Sequence, residues 1–148
     1  MEHWELVARE SIRDLVARYN ANGDSGRFDQ VVELFAQDAV MDVDGTFYRG
    51  RDEIRTIFSS AAESLRARPH PVGLRHHTST LQIDMLGERA ASSRCYYQVL
   101  LHDGLDHWGR YLDEYRVDDG RWRFAKRREM LDGSVPGGWA ASIVAPSP

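Results

Sequence analysis

Along the first third of the chain, apolar residues recur at Ala8, Ile12, Leu15, Val16 and Tyr19. That three-and-four spacing lays one stripe on a helix and predicts it from about Trp4 to Asn22. Gly23 is expected to end it, and a second short helix should follow with Phe28, Val31, Val32 and Phe35 on its buried side. The stretch Ala39 to Gly50 reads as two short strands around Asp44-Gly45, a dipeptide suited to hairpin turns. From Arg51 the pattern is helical again, with Ile54, Ile57, Phe58, Ala61, Ala62 and Leu65 on one side, until Pro69 and Pro71 stop it.

Beyond that point strand patterns take over, over Leu74–Leu86, Arg89–His102, His107–Val117 and Arg121–Met130. Gly87-Glu88, the Asp103-Gly104 loop and Asp118-Asp119-Gly120 separate them into three successive hairpins. Strands longer than the usual 5 or 6 residues must bend or carry bulges, so the sheet is expected to curl. Helices first and an antiparallel meander afterwards define an α+β domain with helices on one face of the sheet, which leaves a cavity between the two. The tail after Leu131, with Gly133, Pro136, Gly137 and Gly138, reads as irregular.

At 148 residues the chain is expected to form one domain. No stretch approaches the roughly 18 consecutive apolar residues of a membrane span, and the acidic Met1-Glu-His-Trp-Glu start does not resemble an export signal, so a soluble, cytoplasmic protein is expected. A formal charge of -4 argues against nucleic acid as a partner. The one basic cluster, Arg121 to Arg128, alternates with Trp122 and Phe124 as the two faces of a strand. Cys95 is the only cysteine, which excludes an internal disulfide. Metal binding is not expected: His76 and His77 diverge on a strand, and His102 and His107 lie in or beside a loop with Asp103 and Asp106. No phosphate-binding glycine loop or serine-nucleophile motif is present, and no cofactor is expected.

An ordered set of segments resembles a known family: Arg18-Tyr19 followed by Asp24, Phe35-Ala-Gln-Asp-Ala39, Gly50-Arg-Asp-Glu-Ile54, Arg75-His76-His77-Thr-Ser-Thr80, Gly109-Arg-Tyr111-Leu-Asp113 and Gly120-Arg-Trp122 through Arg127. Together they are similar to the SnoaL-like branch of the nuclear transport factor 2-like superfamily, over about residues 8 to 130. That branch includes scytalone dehydratase, bile acid 7α-dehydratase and hexachlorocyclohexane dehydrochlorinase, with polyketide cyclases and ketosteroid isomerase at greater distance. The resemblance implies a cone-shaped sheet wrapped around N-terminal helices, a small hydrophobic ligand, and homodimers or homotrimers.

Asp24 and His76 are the leading candidates, because a carboxylate that holds an imidazole makes a general base able to remove a proton beside a leaving group. The resemblance pairs these same two positions. The alternative for Asp24 is a helix cap in the Gly23-Asp24-Ser25-Gly26 turn. Only one of His76 and His77 can readily line the pocket, and the resemblance favours His76, with Thr78 and Thr80 in the same polar row. Tyr19 lies on the apolar stripe of the first helix and is either a group that assists departure of a hydroxyl, as in the dehydratase relatives, or a core tyrosine.

Arg127 matches the position where dehydrochlorinase-like relatives place a cation near the leaving group. Strict alternation from Trp122 and Phe124 instead sends Arg128 inward, unless a bulge resets the strand. Tyr97, Tyr111 and Tyr115 fall in phase with inward positions and offer an aromatic wall for a ring-shaped ligand, with His77 and Arg128 as further binding candidates. Asp113 reads as structural. The expected function is a cofactor-independent dehydratase-type lyase acting on a hydrophobic cyclic (polyketide-, terpenoid- or steroid-like) substrate. A cyclase or isomerase with the same site, or a non-catalytic ligand-binding or dioxygenase-type small subunit, are the alternatives.

Overall fold

In the computed structural model of the chain, residues 1–69 and 73–143 are described. Pro71 and the terminal Ala-Pro-Ser-Pro lie outside them. The helix expected first is α1, His3–Asp24, and it buries Ala8, Ile12, Leu15, Val16 and Tyr19, the stripe read from the sequence. Gly23 does not end it, and Asp24 is still helical. Helix α2 is Phe28–Val32, strands β1 and β2 are Phe35–Val43 and Thr46–Arg49, and helix α3 is Gly50–Arg66. Four long strands follow, β3 Arg75–Met85, β4 Ala90–Leu101, β5 Gly104–Asp118 and β6 Arg121–Ser134, and then a short helix α4, Trp139–Ile143.

The six strands make one sheet in the order β2-β1-β6-β5-β4-β3. Every neighbouring pair is antiparallel except β1 and β6, which run parallel. No hairpin joins these two strands, so turn geometry does not dictate their direction. Two turns carry positive φ at both central residues, Asp44-Gly45 (47° and 91°) and Asp119-Gly120 (50° and 72°), the conformation that follows the twist of an antiparallel pair.

Phe35 departs from its expected place on α2. It opens β1 opposite Phe124 of β6, and the two rings pack at 5.0 Å between centroids, so sheet pairing overrides the helical periodicity. The core forms where α1 and α3 cover the inner face of the sheet, with Ile12, Val31, Phe35, Met41, Ile54 and Phe124 wholly buried. Each such side chain contributes about 1.5–3 kcal/mol of burial free energy.

The tail is more regular than its composition indicates. Because β5 begins at Gly104, β6 continues past Met130 to pair His107 with Ser134 and Trp108 with Gly133. Gly133 is required there, since a Cβ would lie 2.4 Å from the Trp108 ring. Asp106 then starts α4 from a distant strand: its carboxylate accepts the backbone N–H groups of Trp139 (2.6 Å) and Ala140 (3.0 Å).

Candidate active site

Helix α1 brings its last residue, Asp24, to the first residues of β3. Oδ2 of Asp24 accepts the backbone N–H of His76 at 2.9 Å, and Oδ1 meets His76 Nδ1 at 2.6 Å. Both carboxylate oxygens are therefore committed to one residue, and α1 makes no use of Asp24 as a side-chain cap. A carboxylate is acceptor-only when ionised, so the neutral imidazole carries its proton on Nδ1, and in that form Nε2 has a free lone pair. Asp24 retains 8% side-chain exposure and His76 22%, so the carboxylate is sheltered while the imidazole edge stays reachable.

At the closed end of the inner face lies Arg127, with no solvent exposure. Its inward position comes from a bulge in β6: Lys126 pairs with Glu114 and Phe124 with Tyr115, so Ala125 is an extra residue that resets the alternation. Arg127 Nε and Nη2 donate to the two oxygens of Asp113 at 2.8 Å each. The guanidinium lies 4.1 Å from the Tyr19 ring centroid, 4.0 Å from that of Tyr111 and 4.4 Å from that of Phe124. Burial alone would lower the pKa of Arg127, but the Asp113 charge and hydrogen bonds outweigh it and hold the cation well above its ordinary value.

Two donors at this end lack a proper partner. Nη1 of Arg127 is buried with no hydrogen bond, and the Tyr19 hydroxyl, which lies beside the Arg127 guanidinium, donates only to the Met41 sulfur, at 3.9 Å. Burial drives the Tyr19 phenol well above its ordinary pKa, so it remains a donor. Buried donors without acceptors are rare in folded proteins, and a ligand oxygen would complete both.

Aromatic rings link the two ends. The Tyr97 ring is 6.4 Å from His76 and stacks on Tyr111 at 4.5 Å, and Tyr111 in turn lies against Arg127 and Tyr19. Gly109 makes room for Tyr97, whose hydroxyl would lie 2.7 Å from a Cβ at that position. Tyr97 donates to Glu129 Oε1 at 3.3 Å. Burial raises the Glu129 pKa above its ordinary value, partly offset by His76, Arg127 and His107. Glu129 and His107 are the two chemical groups of the inner face that the sequence did not single out. His107 is buried on β5, which begins at Gly104 rather than at His107 as expected, and its Nδ1 lies 2.7 Å from Asp106 Oδ2.

Other expected members fall elsewhere. His77 is exposed on the opposite face, paired with Gln98. Arg128 also points outward, 3.5 Å from Asp42, because the bulge at Ala125 gives the inward place to Arg127. Tyr115 is inward but is spent on structure, bonded to Ser93 Oγ (2.7 Å) and Asp113 Oδ2 (3.0 Å). The polar row from His76 to Thr80 breaks at a bulge between Ser79 and Gln82, where Thr80 has φ 56° and Leu81 packs against the core instead. A concavity of about 370 Å³ does exist, but it is lined by Asp84, Arg94, Leu112, Glu114, Lys126 and Arg128, largely on the outer face and away from Asp24 and His76. Among the described residues no cluster of His, Cys, Asp or Glu is arranged to hold a metal ion, and no helix is long and apolar enough to cross a membrane.

The sequence matches the SnoaL-like domain profile over residues 4–128, and the chain belongs to that family, within the nuclear transport factor 2-like fold. Among solved structures it is similar to a nuclear transport factor 2-like protein with a cystatin-like fold from Novosphingobium aromaticivorans, 28% identical over 87% of this chain and 85% of that one, with a TM-score of 0.76. A Mycobacterium tuberculosis protein of unknown function is 27% identical over 88% of this chain and 75% of that one, with a TM-score of 0.76. A hexachlorocyclohexane dehydrochlorinase shares the fold at 17% identity, over 90% and 93% of the two chains, with a TM-score of 0.74. No curated protein matches the chain.

Proposed function

We propose that this chain is a cofactor-independent lyase of the dehydratase type, which removes a proton from a hydrophobic cyclic substrate and expels a group from the neighbouring carbon. The observation that carries the reading is the double engagement of Asp24 by the Nδ1 and the backbone N–H of His76. It leaves Nε2 as the basic atom and fixes the plane of the ring, which is what proton abstraction from carbon demands of a histidine. The substrate ring lies against Tyr97 and Tyr111. Arg127 Nη1 and the Tyr19 hydroxyl then receive the oxygen on which negative charge develops, in surroundings dry enough for their electrostatics to count. Membership of a family whose fold also serves a dehydrochlorinase supports an elimination.

A cyclase or an isomerase would use the same first step and return the proton to carbon. The test is incubation in deuterium oxide with cyclic ketones of one to three rings that carry a β-hydroxyl, followed by mass spectrometry. The wild-type protein is expected to give both α-deuteration and loss of water, and His76→Gln neither. Deuteration without loss of water would replace the lyase by an isomerase or cyclase. Neither product from the wild-type protein would favour a ligand-binding subunit.

A further inference from the structure

A second histidine is built into the inner face in the same way as the first. His107 Nδ1 lies 2.7 Å from Asp106 Oδ2, as His76 Nδ1 lies 2.6 Å from Asp24 Oδ1. In the sheet register His76 and His107 are the two partners of Val99, one on each side of it, and the Tyr97 ring packs near both, 6.4 Å from His76 and 6.0 Å from His107 between ring centroids. Among the described residues no group bonds His107 at Nε2, and the ring sits beside Trp139 at 5.9 Å, under the helix α4 that Asp106 itself starts.

Asp106 is well equipped to stay charged in the interior. Burial would raise its pKa, but the N–H groups of Ala140 and Trp139 and the His107 ring overcome this and bring it below its ordinary value. Starting a five-residue helix needs only backbone N–H acceptors, so the histidine is an addition that α4 does not require.

We infer that His107, entering the reaction as the imidazolium, is the general acid of the elimination proposed above, with His76 on the other side of Val99 in the same row across the sheet. The inference rests on that reading of His76. His76 Nε2 takes the proton from carbon, the C–H electron pair becomes the C=C bond, and the C–O bond breaks with its pair to oxygen. The departing hydroxide takes the proton on His107 Nε2 and leaves as water. His76 then holds one proton more and His107 one fewer. Between turnovers the proton gained by His76 is lost to solvent and the one lost by His107 is regained from it, while Glu129 accepts a hydrogen bond from the Tyr97 hydroxyl at 3.3 Å.

Leaving-group dependence tests the assignment, because a poor leaving group needs an acid and a good one does not. The probes are two cyclic ketones that differ only at the β-carbon, one with hydroxyl and one with 4-nitrophenoxide. In His107→Gln the rate with hydroxyl is expected to fall by about 10²-fold or more relative to the rate with 4-nitrophenoxide, the usual share of a general acid, whereas His76→Gln loses both. Equal losses for the two probes in His107→Gln would overturn the acid role and leave the His76 reading intact. Wild-type protein that eliminates neither group would overturn the His76 reading and this one with it. Should His107→Gln fail to fold, a series of β-aryloxy ketones with wild-type protein decides: a shallow dependence on phenol acidity supports the acid, and a steep one overturns it.

Discussion

Arg127 and Asp113 face each other through two parallel hydrogen bonds of 2.8 Å with neither side chain exposed to solvent. A buried pair of this kind is costly to break and cheap to replace whole, because removing one partner strands the other charge in a dry interior. Asp113→Asn should therefore destabilise the fold by about 3–5 kcal/mol in urea unfolding, and Arg127→Met by a similar amount. The double variant Arg127→Met/Asp113→Leu should cost less than either single change. Additive losses would mean that the two side chains are supported independently.

Glu129 gives a pH signature. Its ordinary pKa of 4.5 is raised in the folded protein, chiefly by burial. A raised folded pKa contributes stability that is fully present below about pH 4.5 and is lost as the pH rises through the folded value. Glu129→Gln removes the cost of the buried charge, so the variant should be more stable than wild type at pH 8, with the advantage gone at pH 4. Thermal unfolding across that range measures it, and a constant difference would contradict the assignment.

The outer face of the sheet bears on assembly. Tyr96 (57% exposed), Trp108 (39%) and Leu112 (37%) share it with charges of both signs, among them Arg94, Glu114 and Arg128. A face that mixes apolar anchors with complementary charges suits self-association through a symmetric contact. Light scattering on the eluted protein should give a homodimer or homotrimer, and Trp108→Glu or Leu112→Arg should shift it towards monomer. A monomeric wild-type protein at high micromolar concentration would refute this.

The helices and the four long strands were legible in the sequence because periodicity reports which face of an element is buried, and that is a local property. Apart from the helix stop expected at Gly23, the departures are non-local. Phe35 left its helix for a partner in β6, and the bulges at Ala125 and Thr80 decided whether Arg127 or Arg128, and Leu81 or Thr80, turn inward. Asp24 and His76 lie 52 residues apart, and only the resemblance paired them. His107 was read as the first residue of its strand, beside a loop, and its place well inside the sheet follows only from β5 beginning three residues earlier, at Gly104. Glu129 looked like one charge among several in a basic strand, and its inward place follows from the register opposite Tyr111.

The central claim is that Asp24 acts through His76, and a double-mutant cycle on these two residues tests it most directly. Asp24→Asn replaces one of two acceptor oxygens by an NH₂ donor, so it cannot serve both the His76 backbone N–H and a protonated Nδ1, and it favours the tautomer with the proton on Nε2. That change should cost about 1–3 kcal/mol of stability, the penalty of one unsatisfied buried group, and lower elimination of a β-hydroxy ketone far more steeply. Turnover is measured for wild type, Asp24→Asn, His76→Gln and the double variant, with thermal unfolding in parallel to confirm that each is folded. The account predicts that the double variant is hardly worse than His76→Gln alone, because the pair acts as one unit. Independent, multiplicative losses, or near wild-type turnover in Asp24→Asn, would contradict it.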